Sequence, residues 1–366
     1  MNLRFHWMLP KAGEVAMRTP QAAACYRIEA TDVSSSAPIP DMEGWRRFTR
    51  HAEQAGIDSV LISFSRYEPD PFLVACALGR ATEKLKFIAA FRSGLMQPAT
   101  LVQQTNTLSG LIGGRISLNI VAGSSTSEQR GYGDFLKHDE RYSRAGEFLA
   151  ICNAFWHGRE AVDFDGKHYR VEGGRLHTPF LAPDRSTPEM YVSGHSEAAR
   201  QLAATQGTCW LRVIDTPQSL EPSVRRMRKR GVEVCIRLGL ICRPTRDEAI
   251  GVIKDLMEEE HIAATAPKVL VRDDSQMYRE AAMASKDAGW LSPTIWAGFV
   301  PYYGPVWTTL VGTPEEIAKS FIEYKRIGVS QFIISGWPEI NEVDIFGREV
   351  LPLVREGEGR QEPSRA

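Results

Sequence analysis

The sequence predicts an α/β protein built as one closed (β/α)8 (TIM) barrel with insertions at the barrel mouth. Two observations carry this. Short β-branched runs alternate with helical patterns eight times along 366 residues, which fits a closed barrel better than an open sheet. The runs also end in small and polar residues, as strands do where they deliver loops to a barrel mouth.

The units follow in order. Leu3 to Leu9 is a first strand, and Met42 to Ala55 carries Trp45, Phe48, Ala52 and Ala55 at helical spacing. Ser59 to Ser63 is a strand, followed by a helix over Pro71 to Ala81. Leu85 to Phe91 is the third strand, and the helix from Pro98 to Leu111 sets Leu101, Thr105, Leu108 and Leu111 on one face. Arg115 to Val121 is the fourth, with a polar loop and then a helix over Glu140 to Trp156. The rhythm breaks at "VDFDGKHYRV", which alternates about Asp165-Gly166 and reads as a hairpin on the edge of the fold. It resumes with strands at Glu189 to Val192, Thr208 to Val213, Glu233 to Cys242 and Gln331 to Ser335. Helices follow them: one from Ser196, one carrying "RRMRKR", one near Arg246 to Glu260, and one over Ile345 to Val354, with a further helix at Pro314 to Ile327 before the last strand.

One domain over residues 1–355 is expected, with insertions near 11–40, 157–188 and 261–306 and a polar, disordered tail over 356–366. A long insertion in a compact domain is functional or disordered. The segment 261–306 reads as a mobile lid, and 11–40 as a partial cover or an oligomer contact.

At 43% apolar and 24% charged, with a formal net charge of -1, the composition is that of a soluble globular protein. It argues against nucleic-acid and anionic-membrane partners. No apolar run is long enough for a bilayer, and the start "MNLRFH" lacks a signal-peptide pattern, so a cytoplasmic protein is expected. The six cysteines are scattered without a C-x-x-C, and the histidines do not pair at metal-ligand spacing. Free thiols and no metal site are expected.

The expected mouth residues are those at strand ends: Trp7, Ser63 to Ser65, Phe91 to Ser93, Ala122 and Gly123, Gly194 to Ser196, Arg237, and Ser335 to Trp337. "SGHSEAAR" is the most informative. Its Ser196 opens a helix, and a helix start offers backbone N–H groups and a cap hydroxyl to a phosphate. A plain N-cap is the competing reading. Tyr142, in "HDERY", could add a phenol if its helix lies next door. Aromatics such as Trp7, Phe64, Tyr303 and Trp337 suit a flat cofactor, or core packing.

On the stretches "EKLKFIAAFRSG", "GGRISLNIVAGS", "FLKHDERY", "VDFDGKHYRVEG", "CIRLGLICRPT" and "FIISGWPE", the chain resembles the bacterial luciferase-like flavin-dependent monooxygenases, and within them the alkanesulfonate monooxygenase branch. The resemblance implies a (β/α)8 barrel that takes reduced FMN from a separate flavin reductase, uses O2 as co-substrate, and forms homo-oligomers. It implies that Tyr142 and Ser196 hold the FMN phosphate with Gly194 and His195 alongside, while Ala122 and Gly123 let the backbone approach the flavin ring.

Several substrate-side positions depart from the branch pattern. Ala12 stands for a histidine, Glu68 for a cysteine, Gly239 for a histidine, Tyr303 for an arginine and Trp337 for a tyrosine; Arg237 is kept. A sulfonate wants Arg-type donors, so the expectation is oxygenation of a small or medium organic substrate other than a simple alkanesulfonate. Arg237 is the candidate catalytic cation, and Glu68, Tyr303, Trp337 and Trp7 are the candidate pocket residues. Three alternatives stand beside this: alkanesulfonate desulfonation, a deazaflavin-dependent dehydrogenase, and a flavin-binding protein without catalysis.

Overall fold

The computed structural model describes residues 2–10, 42–66, 68–123, 125–158, 160–257, 289–300, 305–336 and 339–359. Its strands are β1 (Arg4–Met8), β2 (Ser59–Ile62), β3 (Lys86–Phe91), β4 (Ile116–Ile120), β5 (Val162–Asp165), β6 (Arg170–Gly174), β7 (Met190–Ser193), β8 (Cys209–Val213), β9 (Glu233–Cys242), β10 (Ile295–Trp296), β11 (Thr309–Gly312) and β12 (Gln331–Ser335). Eight of them pair in parallel in the order β9-β12-β1-β2-β3-β4-β7-β8, and a β8–β9 pairing closes the ring. These are the eight strands expected from the sequence. The hairpin β5–β6 pairs antiparallel in a sheet of its own, as its Asp-Gly turn requires.

Side chains on a strand alternate between two faces. In this ring, Met8, Leu61, Ile88, Tyr191, Cys209, Leu211, Cys235 and Ile333 form a cluster inside the barrel. Their neighbours Trp7, Val60, Ile62, Phe87, Ala89, Val192, Trp210 and Ile334 belong to the larger core between strands and helices. Beneath the interior cluster the barrel is polar. Arg4 pairs with Glu189 at 2.6 Å and also with Glu233. Gln331 Oε1 accepts from the Tyr191 hydroxyl at 2.6 Å and meets His6 Nε2 at 2.9 Å. Burial holds the His6 pKa below its ordinary value, because charging an enclosed imidazole would forfeit its hydration.

The helices that position the mouth are α1 (Met42–Gln54), α2 (Pro71–Gly79), α3 (Pro98–Leu111), α4 (Thr126–Gly131), α5 (His138–His157), α6 (Glu197–Gln206), α7 (Pro217–Lys229), α8 (Arg246–Met257), α9 (Pro314–Ile327), α10 (Glu339–Ile345) and α11 (Leu351–Gly359). Asp70 caps α2 by accepting from the Phe72 and Leu73 N–H groups, with Pro71 in the first turn. A Thr313/Glu316 capping box starts α9, and Gly328 at φ 106° ends it. Among the described residues no helix is long and apolar enough to cross a membrane.

The structure differs from the sequence reading at three places. α4 lies inside the stretch expected to be a polar loop; Ser125 caps it by accepting from the Glu128 N–H. β11 runs parallel to the upper half of β9, and β10 runs antiparallel to β11. Strands of two and four residues are too short to leave a periodicity. Third, α11 continues to Gly359, into the expected tail, because Glu358 is anchored. Its carboxylate accepts from Leu3 N–H at 2.6 Å and from Lys325 at 2.9 Å. The insertion expected over 11–40 and most of that over 261–306 lie outside the described residues.

A buried carboxylate ties α10 to the end of β9. Glu342 on α10 is fully enclosed, accepts from the Cys242 N–H at 3.1 Å and pairs with Arg243. Burial pushes its pKa up to about 7, against the pull of Arg243 and the Cys242 N–H. A carboxyl whose folded pKa is raised contributes stability at low pH that is lost as pH rises through that value. The stability advantage of the wild type over Glu342→Gln is therefore expected to shrink by up to about 1.4 kcal/mol per pH unit between roughly pH 5 and pH 7. Urea denaturation of both proteins across that range checks this; a pH-independent difference would contradict it.

Candidate active site

The inward alternation runs up the strands, past the ends of β2 and β3, and builds the mouth. Ser63 follows Leu61, Arg92 follows Ile88 and Ala90, Ser193 follows Tyr191, Arg237 follows Cys235, and Ser335 follows Ile333. Arg237 is 7% exposed, its Nη2 donates to Ser335 Oγ at 2.6 Å, and Nη1 lies 3.4 Å from the Ile333 carbonyl. Ser193 Oγ donates to Asn119 Oδ1 at 2.7 Å. A buried cation thus sits on β9 and β12, with neutral polar groups at the ends of β4 and β7.

The β7–α6 turn carries the second part of the site. Ser196 is the N-cap of α6, its Oγ accepting from the Ala199 N–H at 3.2 Å. The first N–H groups of any helix lack intrahelical acceptors, and the helix dipole turns positive there. The Tyr142 ring of α5 comes to this turn: its hydroxyl donates to the Ser193 carbonyl at 3.4 Å, and the Ser196 side chain is near enough to draw its pKa down against burial. Burial pushes its pKa up to about 12, so it remains a neutral donor. Gly194 has φ 143°, and a Cβ there would lie 2.6 Å from the Tyr142 hydroxyl and 2.7 Å from Ala199 Cβ. The turn must be glycine both for its backbone and for the phenol beside it. His195 is buried, and its Nε2 accepts the Val213 N–H at 3.1 Å, which puts the ring proton on Nδ1. Val213 in turn is the register partner of Arg237.

At the end of β4 the Ala122 carbonyl accepts from Arg141 Nε at 2.9 Å and from Gln129 Nε2 at 3.1 Å. Gly123 has φ 83°, and a Cβ there would fall 1.3 Å from Gln129 Nε2. The small residue admits the Gln129 amide, whose Oε1 is buried with no hydrogen-bond partner.

The structure brings Tyr142, Gly194, His195 and Ser196 together at one turn, with Arg237 reached through Val213. Ala122 and Gly123 join through Arg141, the residue before Tyr142. Glu68 lies on the opposite rim, where its carboxylate accepts from Ser63 Oγ beside a recess lined by Leu9, Pro10, Trp45 and Val74. Trp7 departs from the expected pocket. Its indole is fully buried and packs against Phe346 at 5.9 Å between ring centroids, in the layer between strands and helices. The reason is parity: Met8, one residue on, faces the barrel interior. Tyr303 and Trp337 lie outside the described residues. Arg92 lies on the rim, as its strand-end position implies; two further rim residues, Glu128 and Gln129, were not assigned from the sequence. The Ser125-x-x-Glu128 spacing, a helix-start pattern, is the signal that could have found the last two.

The family model of luciferase-like monooxygenases matches residues 3–331, and the chain belongs to that family. Among solved structures it is similar to the EDTA monooxygenase of Chelativorans sp. BNC1, at 18% identity and TM-score 0.75, covering 97% of this chain and 94% of that one. It is similar to a riboflavin lyase solved with modified FMN and riboflavin, at 20% identity and TM-score 0.70, covering 97% and 92%. A third is an F420-dependent secondary alcohol dehydrogenase, at 17% identity and TM-score 0.65, covering 97% and 100%. At these identities the likeness is one of fold. Membership holds for the family as a whole and does not single out its alkanesulfonate branch.

The geometry at Gly194 makes a direct prediction. Gly194→Ala is expected to destabilise the protein by about 1–3 kcal/mol through overpacking against Tyr142, and Tyr142→Phe in the same chain should restore part of it. Thermal unfolding of the single and double variants measures both effects. Unchanged stability in the single variant would contradict the packing.

Proposed function

We propose that this protein is the oxygenating component of a two-component system. It takes reduced FMN from a separate flavin reductase and uses O2 to oxygenate a small or medium organic substrate that is not a simple alkanesulfonate. The observation that carries the reading is the β7–α6 turn, where the Ser196 cap, the first-turn N–H groups of α6 and a neutral Tyr142 hydroxyl converge over a glycine that no side chain could replace. That set fits a phosphate. Ser196 and Tyr142 would hold it, Gly194 and His195 would flank it, and the backbone of Ala122 and Gly123 would approach the ring.

Reduced FMN, when bound, supplies the electrons with which one atom of O2 is transferred to the substrate. The remaining work falls to the chain. The apolar cluster inside the barrel closes the floor of the site against water, and a dry site strengthens every electrostatic contact in it. Arg237, held in place by Ser335, fixes a positive charge where negative charge develops during oxygen transfer. Glu68 on the opposite rim shapes the substrate side, as Tyr303 and Trp337 would. A homo-oligomer is part of the proposal.

The test is anaerobic titration with reduced FMN followed by rapid mixing with oxygenated buffer. Saturable binding, then a long-lived absorbance distinct from that of oxidised flavin, is the expected result. Arg237→Met is expected to leave FMN binding intact and to cut oxygen transfer by about a hundredfold; unchanged transfer would remove Arg237 from its role. The F420-dependent fold neighbour favours one other reading, a hydride-transferring dehydrogenase that uses a deazaflavin. Failure to bind reduced FMN, with binding of a deazaflavin, would establish that reading instead.

A further inference from the structure

The rim formed by β2, β3 and α4 holds a guanidinium that the proposed cofactor site does not use. Arg92 is 6% exposed. Its Nη2 pairs with Glu128 at 2.9 Å. Its Cζ lies 5.1 Å from the Phe64 ring centroid and 5.7 Å from that of Tyr132, and those rings lie 5.6 Å apart. Glu128 is fixed from its other side by the Arg66 N–H at 2.9 Å. Yet Arg92 Nε and Nη1 are buried and have no hydrogen-bond partner. A guanidinium carries five N–H donors, and those on Nε and Nη1 are three of them. Leaving charged donors unmade in a buried place is costly, so a ligand group that completes them is selected for strongly.

The chemistry of that group can be narrowed. Arg92 is already neutralised by Glu128, which is itself 8% exposed. An anionic ligand would bring a second negative charge against that carboxylate, and like charges in a poorly hydrated site repel. A neutral carbonyl oxygen accepts the open N–H groups without that penalty. The walls are flat and aromatic, and Tyr132 remains 39% exposed, so its ring can take a planar ligand from the solvent side. β4 separates this rim from the β7–α6 turn proposed for the phosphate.

We propose that Arg92 is a specificity-determining residue that selects a neutral, planar substrate by donating to its carbonyl oxygen, with Phe64 and Tyr132 as the walls. The inference rests on the monooxygenase reading and names its substrate class.

The test is equilibrium binding of three matched probes to the FMN-loaded protein: 2-quinolone, quinoline without the oxygen, and quinoline-2-carboxylate. The wild type is expected to bind 2-quinolone about tenfold or more tighter than quinoline, as one hydrogen bond from a charged donor implies, and to bind the carboxylate more weakly than 2-quinolone. Arg92→Met combined with Glu128→Gln, which leaves no stranded carboxylate, should bring 2-quinolone and quinoline to equal affinity. Arg92→Lys, which keeps the charge opposite Glu128, should lose most of the preference and guards against a folding defect in the double variant. FMN affinity should be the same in all three proteins. The proposal is overturned if the wild type shows no preference for 2-quinolone, if the preference survives in both variants, or if the loss falls on FMN, which would give the open donors to the cofactor. Absence of FMN binding by the wild type would overturn the monooxygenase reading and with it this one.

Discussion

A side chain on a strand of a closed barrel has only two places to go, inward or into the layer beneath the helices. That constraint organises the rest of this protein. It sends Phe5 and Trp7 outward to the aromatic cluster around Phe346, and His6 and Met8 inward. Carried up each strand, the same alternation gives a polar floor, an apolar middle and a polar mouth. Arg4, Glu189 and Glu233 are the floor, and Arg92, Asn119, Ser193, Arg237 and Ser335 are the mouth. The apolar middle separates them, so the mouth opens on one side only.

Burying cations in this way has a cost, because a guanidinium loses its hydration when enclosed. The floor offsets it by ion pairing: Arg4 meets two carboxylates, and Gln331 links Tyr191, His6 and Glu233, while His6 Nδ1 stays buried without a partner. The mouth is built differently. Arg92 is paired on one nitrogen and open on two, and the Gln129 carbonyl is buried without a donor. The two ends therefore differ in charge balance: two carboxylates face the one floor guanidinium, whereas the mouth guanidinium of Arg92 meets one.

Much of this was legible in the sequence. The eight β-branched runs became the eight ring strands, and "FDG" became the hairpin turn. The Ser196 cap could be read from Ser-Glu-Ala-Ala, although its link to Tyr142 came from family resemblance, since two helices far apart in sequence give no local sign of contact. Trp7 stands near a strand end, but parity sends it outward and Met8 inward, so nearness to the mouth alone is a misleading sign. α4 was missed because six residues in "SSTSEQRGYG" are too few for a helical period, and with it went Glu128 and Gln129. Glu358 was hidden in a polar tail; its burial depends on Leu3, at the other end of the chain. What the sequence could not show were contacts made only once the ring had closed.

The central claim is that the β7–α6 turn is a phosphate site serving a flavin. Its most direct test is to compare the affinity of the wild-type protein for FMN and for riboflavin, which share the ring and differ in the phosphate. The account predicts that FMN binds tighter by about tenfold or more, the contribution of at least one hydrogen bond to a charged group, with the difference narrowing at high salt. Equal affinities would contradict it, since Ser196, Tyr142 and the start of α6 would then have nothing to hold.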